Sequence, residues 1–208
     1  MSEEFVIKDC ENYRNLGWLN EYIKGHNGFI AGGCFKNIFN NEKVKDLDIF
    51  FEDEESLEEA IKYYNNCAEY EFYYRNDNVV AFINNNTNMR VELIQKIFGS
   101  AEEIINNFDF SITKFAYYKE EFKKEDGTKG TSYNVVHHKD FFEHLHTKRL
   151  VVNKDLLFPF GTFERMIRYI NYGYMPCKES KINIIRAIKD KEITDDDNLS
   201  ESLYEGMD

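Results

Sequence analysis

A basic leader, paired CxxC cysteines, long apolar runs and an excess of positive charge are all missing from this chain, and each absence excludes a class of protein. The four cysteines (Cys10, Cys34, Cys67 and Cys177) show neither CxxC spacing nor the density of a disulfide framework, which points to a reducing, cytoplasmic compartment. The opening MSEEFVIKDC has no basic segment followed by an apolar one, so no signal peptide is expected. No apolar run approaches the roughly 20 residues of a membrane span, and no membrane partner is expected. Positive charge is in deficit, with 26 Lys and Arg against 38 Asp and Glu and a net charge of -12. A dedicated duplex-DNA binder is usually basic, so duplex DNA is excluded as a partner.

What is present supports a folded core. Hydrophobic residues are 42% and aromatics 16% of the 208, enough for one domain and an appendage. Much of the acid sits in EDEES (Glu52 to Ser56) and in the stretch from Ile193 onward. The body is therefore closer to neutral and leaves room for a local basic patch. No internal repeat is evident.

The most informative segment is GFIAGGCFKNIFNNEKVKDLDIFF, Gly28 to Phe51. An apolar strand, Phe29 to Ala31, runs into Gly32-Gly33; a short helix follows, then a strand from Lys45 to Phe51 carrying Asp46 and Asp48. Residues i and i+2 on a strand project to one face. Both carboxylates can therefore grip one or two hard cations, with a glycine turn nearby to receive phosphate. A third acidic ligand is needed to hold two ions, and Glu92 in MRVELIQ is the candidate, because its neighbours Val91 and Leu93 face the other way. Taken alone, DLD is also what an ordinary strand with one solvated face looks like; the upstream glycines and the downstream glutamate favour a site.

Elsewhere the periodicity predicts helices at Asn12 to Lys24, Glu54 to Tyr64, Gly99 to Asn107, Asp140 to Lys148, Thr162 to Tyr172 and Lys178 to Ile188. Ser100 and Glu103 have capping-box spacing. Strands are predicted at Tyr70 to Arg75, Val79 to Ile83 and Met89 to Ile94. A hairpin, Phe110 to Tyr118 with Thr131 to His137, is predicted around KKEDGTKG. His137, His138, His144 and His146 cluster, but His144 and His146 lie two apart on a helix and point to different faces, so no zinc site is expected. Arg165 and Arg168, at i and i+3, share a helix face, either as an exposed basic stripe or as phosphate contacts. Cys34 reads as a small buried filler and Trp18 as core.

These residues resemble the polymerase-β-type nucleotidyltransferase superfamily, whose head domain has a glycine turn, a helix, a DxD strand and a later carboxylate strand. The Gly-Gly form is similar to that of tRNA CCA-adding enzymes and bacterial poly(A) polymerases, where it leads a GGxVRD motif. NFDFSITKFAYYKE, Asn107 to Glu120, resembles the RRDFTINALAYD motif of the same enzymes. FERMIRYINYGYMP, Phe163 to Pro176, resembles their neck helix. The resemblance spans roughly residues 28 to 176. It departs from the family at Lys36 and Asn37, where Arg and Asp are usual, and at Asn107 and Phe108, where two arginines are usual.

The resemblance implies an α/β (α+β) fold with a mixed-sheet nucleotidyltransferase head; the pattern along the chain places that head over 1–138, a small helical neck and tail over 139–192, and an acidic C-terminus, expected to be disordered, over 193–208. It implies a metal-dependent reaction that moves a nucleoside monophosphate from a nucleoside triphosphate to an acceptor hydroxyl and releases pyrophosphate. Asp46, Asp48 and Glu92 are the implied catalytic and metal-holding residues, for two Mg²⁺ ions or Mn²⁺ in their place. Gly32, Gly33, Lys36, Asn37, Asp109, Lys114, Arg165 and Arg168 are the implied nucleotide-binding set. An RNA 3′ end, such as that of tRNA, is the expected acceptor. The alternatives are a protein or small-molecule hydroxyl, a degenerate nucleotide-sensing or interaction module, and an RNA-binding protein without turnover. With little chain after the neck helix, a partner protein or a second copy is expected to help select the acceptor.

Overall fold

The computed structural model describes residues 4–124, 126–153 and 156–191, so the acidic C-terminal stretch lies outside the described residues. The chain divides into two compact units, one formed by 1–106 with 115–137 and the other by 107–114 with 138–208.

The first unit is built on an eight-stranded mixed sheet. Its strands are β1 (Phe5–Asp9), β2 (Phe29–Ala31), β3 (Asp46–Phe51), β4 (Tyr70–Arg75), β5 (Val79–Asn84), β6 (Arg90–Phe98), β7 (Phe115–Lys123) and β8 (Lys129–His138). Their order across the sheet is β1-β8-β7-β2-β3-β6-β5-β4. β2 is antiparallel to both β3 and β7, whereas β3 and β6 run parallel. Parallel neighbours need a crossover, supplied here by α2 (Glu54–Asn66) and the β4–β5 hairpin. α1 (Cys34–Phe39) links β2 to β3, and α3 (Ala101–Asn106) follows β6. The capping box forms as expected: Ser100 N–H donates to Glu103 Oε2 at 2.9 Å, and Glu103 N–H reaches back to Ser100 Oγ at 3.4 Å.

β3 shows why the sequence makes a site at one end of the sheet. Its first half alternates, with Leu47 and Ile49 buried and Asp46 and Asp48 half-exposed; its second half, Ile49 to Phe51, is buried throughout. β6 repeats the pattern, with Val91 and Leu93 buried and Arg90 and Glu92 half-exposed. The core behind them includes Phe35, Tyr64, Phe82 and Phe115, all fully buried.

The second unit packs α4 (Phe141–His146), α5 (Pro159–Asn171) and α6 (Lys178–Lys189) with a parallel pair, β9 (Arg149–Leu150) and β10 (Met175–Pro176). Phe110, Phe141, Leu150, Tyr169, Tyr174 and Ile184 are its buried apolar residues of note. Ser111 Oγ lies 2.7 Å from His144 Nδ1, and both residues are buried.

Several expectations shift. The opening helix is a succession of 3₁₀ turns, Cys10–Asn12 and Arg14–Ile23, and Trp18 is 40% exposed while Leu16, Leu19 and Ile23 carry the packing. Phe5–Asp9 forms a strand that was not anticipated. The strand expected from Phe110 begins at Phe115, because Thr113 N–H and Oγ1 both donate to the Phe110 carbonyl and close a turn, a local bond that competes with extended pairing. DFSIT therefore enters the second unit, where Phe110 bridges Val152.

His26 is the unanticipated keystone of the turn before β2. Its Nδ1 accepts from Gly28 N–H at 3.0 Å, which leaves Nε2 as the protonated nitrogen to donate to the Tyr22 carbonyl at 3.2 Å. Tyr64 hydroxyl donates to that same carbonyl at 2.6 Å. Gly28 itself admits no side chain, since a Cβ would come within 2.6 Å of Ile49 and Phe51. Burial pushes the His26 imidazolium down to about 4. The unfolded chain takes up this proton near pH 6.5 and the folded chain only near pH 4. The stability this contributes is therefore complete above pH 6.5 and lost as pH falls towards 4. Thermal unfolding followed between pH 7 and 4 is expected to show a loss of roughly 3 kcal/mol from this group, and His26→Gln is expected to flatten that part of the profile.

Candidate active site

The register of β3 with β6 sets Asp46 opposite Arg90 and Asp48 opposite Glu92. Paired residues on neighbouring strands project to the same face, about 5 Å apart. Four ionisable side chains therefore form a two-by-two patch. The row continues across the sheet: Glu92 pairs with Ala81 on β5, and Ala81 pairs with Tyr74 on β4. Ala81 is too small to fill its position, so Tyr74 reaches over it and its hydroxyl donates to Glu92 Oε1 at 3.1 Å. Burial, and then the Glu92 charge, push the Tyr74 hydroxyl up, which keeps it a proton donor to the carboxylate.

Arg90 is the cation of the patch. Its Nη2 donates to Asp46 Oδ2 at 2.5 Å, and its Nε lies 2.7 Å from Glu92 Oε1. The second contact is ionic without being a hydrogen bond: the buried Nε–H has no hydrogen-bond partner among the described residues. Half-exposed ion pairs contribute about 0–1 kcal/mol each, and a buried donor left unpaired costs about 1–3 kcal/mol. Arg90 is therefore held by net attraction to two carboxylates rather than by good geometry. Although burial opposes it, the bond to Asp46 and the charges of Glu92 and Asp46 raise its proton affinity.

Beside the patch, β2 enters the glycine turn. Gly32 has φ +97°, a conformation that costs any residue with a Cβ, and its N–H is already donated to the Phe115 carbonyl at 3.1 Å. Gly33 has an ordinary helical φ of -65°. α1 has six residues, too few for much macrodipole. Cys34, its first residue, is buried, and its thiol is pushed well up by burial and by the negative charges of Asp48 and Asp46. Burial and these charges disfavour its reactive thiolate form. Lys36 is buried with Nζ 3.0 Å from Glu42 Oε2. Asn37 Nδ2 donates to the Lys43 carbonyl at 3.3 Å.

The other expected nucleotide contacts belong to the second unit. Asp109 is buried and bonded to Arg165, which donates from Nε to Oδ2 at 2.6 Å and again from Nη2. Arg168 on the same helix is exposed, so the i, i+3 pair does not share one environment. Lys114 is buried, and its carbonyl accepts from His138 N–H at 2.9 Å.

Among the described residues no group of three His, Cys, Asp or Glu side chains is gathered tightly enough to hold a metal ion. The donor set of Asp46, Asp48 and Glu92 is all oxygen and fits a hard divalent cation. Two of the three, however, face Arg90.

This geometry belongs to a known fold. The chain is similar to a Thermotoga maritima CCA-adding enzyme complexed with tRNA, with a TM-score of 0.56 and 12% identity, over 88% of this chain and 46% of that one. It is likewise similar to a tRNA nucleotidyltransferase complexed with a primer tRNA and an incoming ATP analogue, with a TM-score of 0.55 and 14% identity over 84% and 50% of the two chains. The fold is thus that of the polymerase-β-type nucleotidyltransferases, with the mixed sheet and helices that the motifs implied. Residues 7–148 match the family described as Gabija anti-defense 2 family protein, and the chain belongs to that family. It is 27% identical over 186 residues to Gabija anti-defense 2 of Bacillus phage SPbetaL7. That match takes in 89% of this chain but 43% of the phage protein, so the chain spans less than half its relative's length.

Two outcomes are expected. Cys34 should alkylate at least about tenfold more slowly at pH 8 than the half-buried Cys10, Cys67 and Cys177, because the thiolate is the reacting form; mass spectrometry of timed iodoacetamide reactions measures this. Asp109→Ala should destabilise by about 3–5 kcal/mol in urea unfolding, because it strands a buried guanidinium.

Proposed function

We propose that this chain is a nucleotidyltransferase that moves a nucleoside monophosphate from a triphosphate to an acceptor hydroxyl, in the service of the counter-defence for which its family is named. The observation that carries the reading is the register of β3 and β6, which sets Asp48 opposite Glu92 on the face that also bears Asp46. Three carboxylates on one face beside a glycine turn suit phosphoryl transfer better than they suit stability, because like charges on one face cost free energy. Asp46, Asp48 and Glu92 would hold Mg²⁺, or Mn²⁺ in its place. When bound, such ions neutralise developing phosphate charge and lower the pKa of the attacking hydroxyl. Tyr74 orients Glu92 through its hydroxyl, and Gly32 permits the turn that brings the head of α1 beside β3.

For the acceptor, an RNA 3′ end such as that of tRNA is supported by the proteins of the same fold that are complexed with tRNA. A second reading, a hydroxyl on a protein of the Gabija defence, is supported by the family description and by the net charge of -12, which disfavours wide contact with a phosphate backbone. Four free cysteines suit a reducing cytoplasm, and no helix among the described residues is long and apolar enough to cross a membrane.

The test is to incubate each α-³²P-labelled triphosphate and Mg²⁺ with total RNA and, separately, with proteins of cells carrying the defence. Wild type is compared with Asp46→Ala and Asp48→Ala. Label is expected in RNA and to fall by about 10³-fold or more in either variant, since metal-held charge stabilisation supplies several kcal/mol. Label in protein alone moves the acceptor to the second reading, and label in neither fraction overturns the enzymatic one.

A further inference from the structure

Arg90 is the residue that the reaction scheme leaves unexplained. It lies within the carboxylate patch, two residues before Glu92 on the same strand face, and it faces Asp46 across the sheet. A strand position this close to a metal-holding site is costly for a cation once metal ions arrive, because like charges would then share the face. Without those ions it is favourable, because three carboxylates otherwise repel one another. The guanidinium spans both partners, one through Nη2 at 2.5 Å and the other through Nε at 2.7 Å.

Two observations show that this grip can be released. The Nε–H is buried beside Glu92 yet is misaligned for hydrogen bonding, so part of the guanidinium's hydrogen-bonding capacity is unused where it sits. The side chains of Arg90 and Asp46 are also 37% and 42% exposed, so the arginine can swing outward into water without unpacking the core. Glu92 would remain held by Tyr74 when Arg90 departs, which preserves its orientation for a new ligand.

We propose that Arg90 is a resident cation that occupies the carboxylate face in the metal-free protein, and that a divalent ion must displace it to bind. The proposal rests on the reading of Asp46, Asp48 and Glu92 as metal-holding residues. Arg90 then acts as a positioning residue: it bridges Asp46 and Glu92 across the two strands before loading, and it raises the metal concentration at which loading occurs. Removing the competitor should tighten binding, and it should also leave the empty protein strained by carboxylate repulsion. These two effects have opposite signs, and simple loss of structure would not produce both.

The experiment is a titration of the full chain with Mn²⁺ alone, followed by the electron paramagnetic resonance signal of the free ion. Wild type, Arg90→Met and Arg90→Lys are compared, each also melted in EDTA and in saturating Mn²⁺. Arg90→Met is expected to bind Mn²⁺ about tenfold more tightly, the scale of losing one or two half-exposed ion pairs. It should melt several degrees lower in EDTA and recover on adding Mn²⁺, because a ligand that binds only the folded state stabilises it. Arg90→Lys, which keeps the charge but lacks the planar fork, should fall between the two. Equal or weaker binding by Arg90→Met, with wild type binding Mn²⁺ normally, overturns the displacement while leaving the metal site intact. Binding by none of the three overturns the displacement together with the metal reading. If Arg90→Met is unfolded in EDTA, Arg90→Gln, which retains hydrogen-bonding groups, carries the same comparison.

Discussion

Parallel pairing of β3 with β6 is the constraint on which the site depends, and it is enforced from the opposite face of the sheet. Leu47 and Ile49 on one strand and Val91 and Leu93 on the other are completely buried. At about 1.5–3 kcal/mol for each buried side chain, these four outweigh the repulsion among carboxylates that the same register creates. A slip of one residue would turn the acidic residues into the core and the leucines into water, so the apolar face sets the chemistry of the polar one. Asp46, Asp48 and Glu92 share one face because the apolar residues hold the other.

Given that shared face, the electrostatics follow. Three carboxylates side by side call for a cation, and the chain supplies Arg90 from within. Arg90 offsets part of the charge, while Tyr74 binds Glu92 from the far side by reaching across Ala81. The arrangement is neither the well-satisfied ion pair of a structural site nor an open cage. The half-exposed ion pairs, and the Arg90 Nε–H that has no hydrogen-bond partner among the described residues, make the patch weakly held. The buried Asp109–Arg165 pair in the second unit is the contrasting case. There the carboxylate accepts two charge-assisted bonds away from water, a commitment that is expensive to undo.

Much of this was legible in the residues because the controlling signals were local. The i, i+2 spacing of Asp46 and Asp48, the apolar neighbours of Glu92, the KKEDGTKG turn and the Ser100–Glu103 cap each state their geometry within a few residues. Arg90 and Tyr74 were not legible in the same way. Strand periodicity alone places Arg90 beside Glu92, and that signal was available, but its pairing with Asp46 exists only once β6 is known to lie parallel to β3. Tyr74 needs two further registers and a small residue at Ala81. His26 was hidden for a similar reason: its partners Tyr22 and Gly28 are close in sequence, but Tyr64 arrives from α2. The extended reading of DFSIT failed because Thr113 closes a turn through its own hydroxyl, a preference that a strand-forming composition masks.

The division of the motifs between the two units also bears on what can be selected. The first unit holds Asp46, Asp48 and Glu92. Of the expected nucleotide contacts, Lys36 is occupied by Glu42, Gly32 N–H by the Phe115 carbonyl, and Arg165 by Asp109. A site whose expected cationic contacts are engaged in holding the fold has weak means of its own for grasping a triphosphate. On the proposed reading, binding in the first unit then draws on bound divalent charge, or on Arg90 once it has left the carboxylates. The last of these would couple the two events. On the proposed reading, the ion that displaces Arg90 also frees a five-donor cation on the carboxylate face, so that loading the metal prepares the nucleotide's place.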